Sequence, residues 1–210
     1  MQKVVIFDMD GTLVDSKKDI TITINYIRKL RYNLEPVSEE LVVEAINMHE
    51  RNLPYIFYGT KNYEQKDKEL FEQHYIKQCT QNSYLYDDVK EMLQTLYDSS
   101  IKLSVATNAS SMFAKRMLEH LEVAHLFDNI IGADMVKHSK PDPQMLNMIL
   151  KSYDFKLDAD KAWMVGDNSK DILSAKNALI DAVFVTWGFS KESECKLVAK
   201  EPKEVLDIVL

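Results

Sequence analysis

The feature that most constrains the fold is the stretch at residues 4–16, close to the start of the chain. The apolar run VVIF at residues 4–7 leads directly into the polar sequence DMDG at residues 8–11. A short apolar run that ends in polar residues and a glycine is typical of a buried parallel strand followed by a turn. We therefore predict that functional side chains lie at the carboxyl end of this strand.

Asp8 and Asp10 are the first candidates for such side chains. In an extended chain residues i and i+2 point to the same side, so the spacing predicts that both carboxylates enter one space. Two like charges at this distance are unfavourable unless a cation or a shared proton offsets them, and a hard divalent cation is the simplest solution. One carboxylate can also attack as a nucleophile while the other transfers a proton. An isolated D-x-D is more often part of an ordinary Asp/Gly turn, so the pair alone leaves a purely structural role open.

Composition and charge exclude several classes of protein. The 210 residues carry a formal net charge of −7, so no basic stripe is available to neutralise nucleic-acid phosphates. Cys79 and Cys195 lie far apart without a C-x-x-C motif, which argues against a disulfide framework and against a zinc site. No signal peptide and no apolar run of about 18 residues is visible, so we expect no membrane association and a cytoplasmic location.

The spacing of apolar residues divides the chain into two parts. From about residue 17 to residue 83, apolar residues recur at helical spacing, and the aromatic-rich segment 53–59 is predicted to pack in the core of this part. After residue 87, predicted helices alternate with predicted strands, which is the pattern of a parallel sheet covered on both faces. The sequence thus predicts an α/β fold, with a doubly wound parallel-sheet core (residues 1–15 and 85–210) and an inserted helical cap domain (residues 16–84).

Further polar residues follow the other predicted strands of the core. These are Thr107 and Asn108, then Lys140 before a proline, and then Asp167 and Asp171. Ligands of open α/β sheets bind beyond the carboxyl ends of the strands, so these residues are candidates for one site. Each also has an ordinary alternative: Thr107 or Ser110 can cap a helix, Lys140 can be a surface lysine, and Asp167 can cap the helix that carries Asp171.

The order of these clusters resembles the four motifs of the haloacid dehalogenase-like (HAD) hydrolases. Residues 8–13 match the pattern D-x-D-G-T-[LV], and T-N, K-P and G-D-x-x-x-D follow in the same order along the chain. The resemblance covers nearly the whole chain, including Trp187-Gly188-Phe189 at the predicted close of the last strand. The chain is similar to small phosphatases of the phosphoglycolate phosphatase-like branch, whose Rossmann-like HAD core carries a helical cap after the first motif.

The resemblance implies a role for each candidate residue. Asp8 is the expected nucleophile and Asp10 the expected general acid/base, while Thr107 and Lys140 bind the phosphoryl group with help from Asn108. The expected ligands of Mg²⁺ are Asp8, Asp167 and the backbone carbonyl of Asp10, with Asp171 in support. The implied function is Mg²⁺-dependent hydrolysis of a small organic phosphomonoester, such as a phosphoglycolate-like compound, a sugar phosphate or a nucleotide, through an aspartyl-phosphate.

Other functions are compatible with parts of this pattern. A phosphomutase of the β-phosphoglucomutase type would use the same core, whereas dehalogenation is less favoured because it needs only one Asp and no metal. A phospho-accepting signalling domain would be shorter, without a cap insert, and would carry its acceptor Asp in mid-chain. The sequence predicts a small phosphorylated metabolite as partner, but it names neither the substrate nor the oligomeric state.

The sequence also departs from the family pattern at a few positions. Residues 47–53 of the cap lack the glycine that many relatives carry there, which bears on substrate recognition. We expect His49 and Arg51 in this segment to influence substrate preference more than the chemistry. Leu179 stands where relatives often have glycine.

Overall fold

The computed structural model describes residues 1–48, 52–191 and 193–210 of the chain. These residues divide into two compact units, one formed by residues 1–15 and 85–210 and the other by residues 16–84. His49 and Arg51 lie outside the described residues. Within the described ranges, every helix is too short or too polar to cross a membrane.

The first unit is built on a six-stranded parallel sheet. Strands are numbered in chain order, and those of the sheet are β1 (Lys3–Phe7), β4 (Lys102–Ala106), β5 (Asn129–Ile131), β6 (Lys161–Gly166), β7 (Asp181–Val185) and β8 (Leu197–Ala199). The short strands β2 (Val14–Asp15) and β3 (Tyr84–Leu85) lie outside it. The order across the sheet is β5-β4-β1-β6-β7-β8.

Both units contain α-helices. The cap unit contains α1 (Lys17–Tyr32), α2 (Glu39–Asn47), α3 (Leu53–Tyr58) and α4 (Gln65–Gln78). The sheet unit contains α5 (Val89–Asp98), α6 (Ser111–His120), α7 (Gln144–Ser152), α8 (Ser169–Asn177) and α9 (Pro202–Val209). On one face of the sheet, Val4 and Ile6 pack with Leu146 of α7 and Ala175 of α8. Residues 4–7 are all fully buried although alternate side chains of a strand point to opposite faces, so helices cover the sheet on both sides and the predicted doubly wound α/β fold is confirmed.

The position of β1 explains why the polar residues meet. Phe7 is paired with Val105 of β4 on one side and with Val165 of β6 on the other. The sheet continues from β4 to β5 in one direction and from β6 to β8 in the opposite direction. Such a reversal of strand order opens a crevice beyond the carboxyl ends of the strands. The residues that follow β1, β4 and β6 therefore lie at the same edge of the sheet.

The cap unit has its own apolar core between its helices. The buried members of this core are Ile24, Ile27, Val42, Ala45, Phe57 and Tyr58. The prediction that the aromatic-rich segment packs in the cap core is confirmed for Phe57 and Tyr58. It is wrong for Tyr55, whose residue surface is 67% exposed, because the short helix α3 turns this side chain away from the cluster.

The end of the sheet differs from the prediction. The strand that was predicted to close at Trp187-Gly188-Phe189 ends at Val185, and β8 follows it as an edge strand that was not predicted. Trp187-Gly188-Phe189 therefore belongs to a loop between β7 and β8 and does not close the last strand. Leu179 has a φ of +60°, in the left-handed region that favours glycine, which explains why glycine suits this position.

Candidate active site

The nucleophile candidate sits at the end of the central strand. β1 ends at Phe7, and the backbone N–H of Asp8 still donates to the carbonyl of Val165 at 2.9 Å. The chain then turns, because the N–H groups of Leu13 and Val14 both donate to the carbonyl of Met9 at 2.9 Å. Residues 8–10 lead into this turn, and that Asp8 and Asp10 point into one space stays a prediction.

Gly11 makes this turn possible. Its φ is +89°, a conformation that side chains rarely adopt, and a Cβ atom there would lie 2.5 Å from Oδ2 of Asp167. The turn after β1 thus packs directly against a carboxylate that follows β6. Both the backbone conformation and the lack of space require glycine at this position.

Three buried carboxylates form a compact cluster at this edge. One oxygen from each of Asp8, Asp167 and Asp171 lies within 4.8 Å of the others, and the residues are 8%, 1% and 1% exposed. Hard divalent cations prefer carboxylate oxygens, so this donor set fits Mg²⁺. Among the described residues, the side chain of Asp10 does not join this cluster, which leaves its backbone carbonyl as the predicted contribution.

A buried lysine connects two of these carboxylates. Lys140 is 4% exposed, and its Nζ donates to Oδ1 of Asp8 at 2.6 Å and to Oδ1 of Asp171 at 2.7 Å. Burial alone would lower the pKa of Lys140, but the carboxylates of Asp171 and Asp8 outweigh burial and raise it. Lys140 is therefore a charged group of the site, and the surface-lysine alternative is wrong.

The side chain of Asn108 holds the backbone of Lys140. Its Nδ2 donates to the carbonyl of Lys140 at 2.9 Å, and its Oδ1 accepts from the N–H of Lys140 at 3.0 Å. Asn108 therefore fixes the backbone position of Lys140, and its predicted help in phosphoryl binding stays a prediction. Thr107 is buried beside it, and its Oγ1 accepts from the N–H of Ala109 at 3.0 Å.

Neither Thr107 nor Asp167 caps the helix that follows it. The first N–H of α6, at Ser111, donates to Asp134, a residue that carried no signal in the sequence because it follows a different strand. α8 is capped by Asn168, whose side chain accepts from the N–H of Lys170. Asp171 completes this cap, since its Oδ2 accepts from the N–H of Asn168 at 3.0 Å. The capping alternatives for Thr107 and Asp167 are therefore wrong.

Asp167 is held by groups from two loops. Its carboxylate accepts hydrogen bonds from Thr12 in the turn after β1 and from Phe189 and Ser190 in the loop after β7. The second loop is not among the site segments predicted from the sequence. The only local signal was the Trp-Gly pair after a strand, which does not by itself indicate a contact with Asp167.

Burial and mutual repulsion shift the titration of the cluster. Burial raises the pKa of Asp167 to about 8, and the charges of Asp8 and Asp171 add to this effect. Burial also raises the pKa of Asp171 to about 6, although the charge of Lys140 lowers it. In the metal-free protein Asp167 therefore retains its proton near neutral pH.

These shifts predict how the stability of the metal-free protein depends on pH. Because the folded-state pKa of Asp167 lies above its ordinary value of 3.8, the folded state binds more protons than the unfolded state between about pH 4 and pH 8. Stability is therefore lost through Asp167 as pH rises across this window. Asp167→Asn keeps the shape but cannot ionise, so in EDTA its stability relative to wild type should increase by on the order of 2–4 kcal/mol from pH 5 to pH 8.

Urea unfolding of both proteins in EDTA at pH 5, 6, 7 and 8 measures this difference. Asp181→Asn, an exposed position at the start of β7, is the control and should show no such pH dependence. A constant difference between Asp167→Asn and wild type over this range would contradict the shifted titration.

The fold and the site together define a class of enzyme core. A doubly wound sheet presents, at the point where its strand order reverses, a buried carboxylate cluster that is bridged by a lysine. Such a site can bind a divalent cation beside a carboxylate that is free to act as a nucleophile.

The comparisons with known proteins give the family. The sequence model of the haloacid dehalogenase-like hydrolases matches residues 5–185. The phosphoglycolate phosphatase of Vibrio parahaemolyticus is 30% identical over 99% of this chain and 96% of its own length, and that of Colwellia psychrerythraea is 32% identical over 90% and 86%. The chain belongs to the haloacid dehalogenase-like hydrolases. It is an enzyme of their phosphoglycolate phosphatase-like branch, a phosphoric monoester hydrolase, as predicted from the motifs.

Solved structures agree with this family. A crystal structure described as a predicted phosphoglycolate phosphatase from Haemophilus somnus superposes with a TM-score of 0.85 at 25% identity, covering 100% of this chain and 98% of that one. A putative phosphatase from Clostridium difficile gives a TM-score of 0.80 at 28% identity, covering 100% and 99%.

Proposed function

We propose that this protein is a Mg²⁺-dependent phosphatase that hydrolyses a small organic phosphomonoester through an aspartyl-phosphate on Asp8. The observation that carries the proposal is the position of Lys140, whose Nζ contacts both Asp8 and Asp171 within the carboxylate cluster. This ammonium group fixes one oxygen of Asp8 and leaves the other for attack. The phosphatase names of relatives with about 30% identity support the same reaction class.

The proposed reaction has two steps, both centred on Asp8. In the first, an oxygen of Asp8 forms a bond to phosphorus while the bond from phosphorus to the leaving oxygen breaks, and Asp10 donates a proton to that oxygen. In the second, Asp10 takes a proton from water, the water oxygen attacks phosphorus, and the bond to Asp8 breaks. Inorganic phosphate and unmodified Asp8 are the products.

The other residues bind charge and control geometry. Asp8, Asp167 and the backbone carbonyl of Asp10 would hold Mg²⁺, with Asp171 in support. When bound, Mg²⁺ offsets the repulsion between the carboxylates and a dianionic substrate. The Thr107 hydroxyl and the Lys140 ammonium group would bind phosphoryl oxygens, and Asn108 would keep Lys140 in place.

A panel of substrates tests this function. Phosphoglycolate, sugar phosphates, nucleotides and p-nitrophenyl phosphate should be assayed with Mg²⁺ and with excess EDTA. We expect phosphate release that requires Mg²⁺, with phosphoglycolate among the substrates because curated relatives carry that name. Full activity in EDTA would overturn the metal assignment, and conversion of a sugar phosphate into its isomer without phosphate release would favour the phosphomutase.

Asp10→Asn should separate proton transfer from binding. The substitution preserves size but removes the proton donor, and general acid/base catalysis typically contributes about 10²–10⁴-fold to turnover. We therefore expect kcat to fall by about that factor on substrates with a poor leaving group, whereas p-nitrophenyl phosphate, which needs little protonation, should lose less in the first step. Steady-state kinetics on both substrate types measure the difference. A variant within twofold of wild type on the poor leaving group would remove Asp10 from this role.

A further inference from the structure

The loop at residues 187–190, between β7 and β8, makes contacts that the proposed reaction does not use. The Nε1 of Trp187 donates to the carbonyl of Thr12 at 3.0 Å, so the indole anchors the loop to the turn that follows the nucleophile. A Cβ atom on Gly188 would lie 2.0 Å from the carbonyl oxygen of Gly11 and 2.6 Å from Oδ2 of Asp167. The backbone of the loop therefore lies so close to the carboxylate of Asp167 that only glycine fits at position 188.

The hydrogen bonds of Asp167 are distributed unequally between its two oxygens. Oδ2 accepts from the N–H of Phe189 at 2.7 Å and from the N–H of Ser190 at 3.3 Å. Oδ1 accepts only from Oγ1 of Thr12, at 3.2 Å, among the contacts of the described residues. A carboxylate oxygen has two lone pairs, so both acceptor positions of Oδ2 are used while one position of Oδ1 stays available.

This distribution limits how Asp167 can bind a cation. A bidentate carboxylate needs a lone pair from each oxygen, and that arrangement would require the loop N–H groups to give up Oδ2. Mg²⁺ binds in octahedral geometry and is commonly held by one oxygen of each carboxylate. Ca²⁺ takes six to eight oxygens and often uses carboxylates in the bidentate mode.

We propose that the 187–190 loop restricts Asp167 to a single ligating oxygen, Oδ1, and thereby makes the site selective for Mg²⁺ over Ca²⁺. Phe189 and Ser190 act through their backbone N–H groups and are positioning residues. The inference rests on the cation site of the proposed function, but it concerns binding alone and does not depend on which substrate is hydrolysed.

The test removes single N–H groups and compares two cations. Phe189→Pro removes the N–H that donates at 2.7 Å, and Phe189→Ala is its matched control because both lose the ring but only proline loses the N–H. Ser190→Pro and Ser190→Ala form a second pair at the longer contact. Isothermal titration of the full-length metal-free protein with Mg²⁺ and with Ca²⁺, without substrate, gives both Kd values, and thermal unfolding in EDTA reports whether each variant is folded.

For wild type we expect Mg²⁺ to bind more tightly than Ca²⁺. Loss of a residue that orients a metal ligand typically weakens binding about 10–100-fold, so Phe189→Pro should weaken Mg²⁺ binding about tenfold or more. Its Ca²⁺ binding should change less, because the freed Oδ2 can ligate the larger ion. The ratio of Kd for Ca²⁺ to Kd for Mg²⁺ should therefore fall about tenfold, with a smaller fall for Ser190→Pro and none for either alanine control.

Two results would overturn the proposal. Ca²⁺ binding to wild type as tightly as Mg²⁺ would do so whether or not the proline variants fold. Equal weakening of both cations in folded Phe189→Pro would also do so, since it would indicate a general loss of structure. Failure of the proposed phosphatase function would show as absent phosphate release by wild type with Mg²⁺, which is a separate measurement.

Discussion

Asp8→Asn is expected to abolish turnover while leaving the fold intact. An amide cannot form the acyl-phosphate, and removal of a nucleophile that works in concert with its neighbours lowers kcat by on the order of 10⁴-fold or more. The fold should persist because the amide oxygen can still accept from Nζ of Lys140, which donates to Oδ1 of the native side chain at 2.6 Å. Steady-state phosphate release and thermal unfolding of the same preparation measure both parts.

Two further variants make this result interpretable. Asp8→Ala cannot return to aspartate by deamidation, so it should be equally inactive. Asp181→Asn replaces an exposed carboxylate of β7 and should keep wild-type activity. Turnover by Asp8→Asn and Asp8→Ala within tenfold of wild type would remove Asp8 from the role of nucleophile.

Lys140→Met is expected to destabilise the metal-free protein strongly and to impair catalysis. The substitution removes the ammonium group that Asp8 and Asp171 share at 2.6 and 2.7 Å, and breaking a buried ion pair typically costs about 3–5 kcal/mol. The loss should be smaller at pH 5 than at pH 8, because burial raises the pKa of Asp171 and the removal of Lys140 lets it rise further. Turnover should fall by about 10²–10³-fold, since a charged donor for the phosphoryl group is lost.

Denaturant unfolding in EDTA, together with kinetics in saturating Mg²⁺, tests this expectation. Lys151→Met on the exposed side of α7 is the matched control and should change stability by less than about 0.5 kcal/mol. Lys140→Met/Asp171→Asn should be more stable than the sum of the two single variants predicts, because the second change removes a carboxylate left without its partner. Strict additivity would mean that the contact seen between Lys140 and Asp171 carries no energy.

The fold class could be predicted because its signals are local and repeated. Continuous apolar runs such as residues 4–7 indicate buried parallel strands, and helical spacing between them indicates the covering helices. The edge strand β8 was missed because it has only three residues, which is too short a stretch to show the alternation of buried and exposed side chains that indicates a strand. The left-handed conformation at Leu179 was also hidden, since leucine carries no turn signal of its own.

Some residues of the site could be predicted from the local sequence, whereas the contacts between distant segments could not. Asp8 and Asp167 lie together because each follows a strand of a parallel sheet, and Asp171 joins them from the first turn of α8. The positions of such strands can be predicted from the sequence. The hydrogen bonds between Asn108 and the backbone of Lys140, and between the N–H of Phe189 and Asp167, join segments that are distant in the chain. No spacing of residues in the sequence indicates such contacts.

The most direct test of the account identifies the residue that carries the phosphoryl group. Wild-type enzyme turning over p-nitrophenyl phosphate with Mg²⁺ should be quenched rapidly in acid, treated with borohydride to reduce any acyl-phosphate to an alcohol, and digested for peptide mass spectrometry. We predict that the reduced product, homoserine, is found at position 8, only when both substrate and Mg²⁺ are present, and not in Asp8→Asn. Reduction at a different carboxylate with residue 8 unmodified would contradict the account.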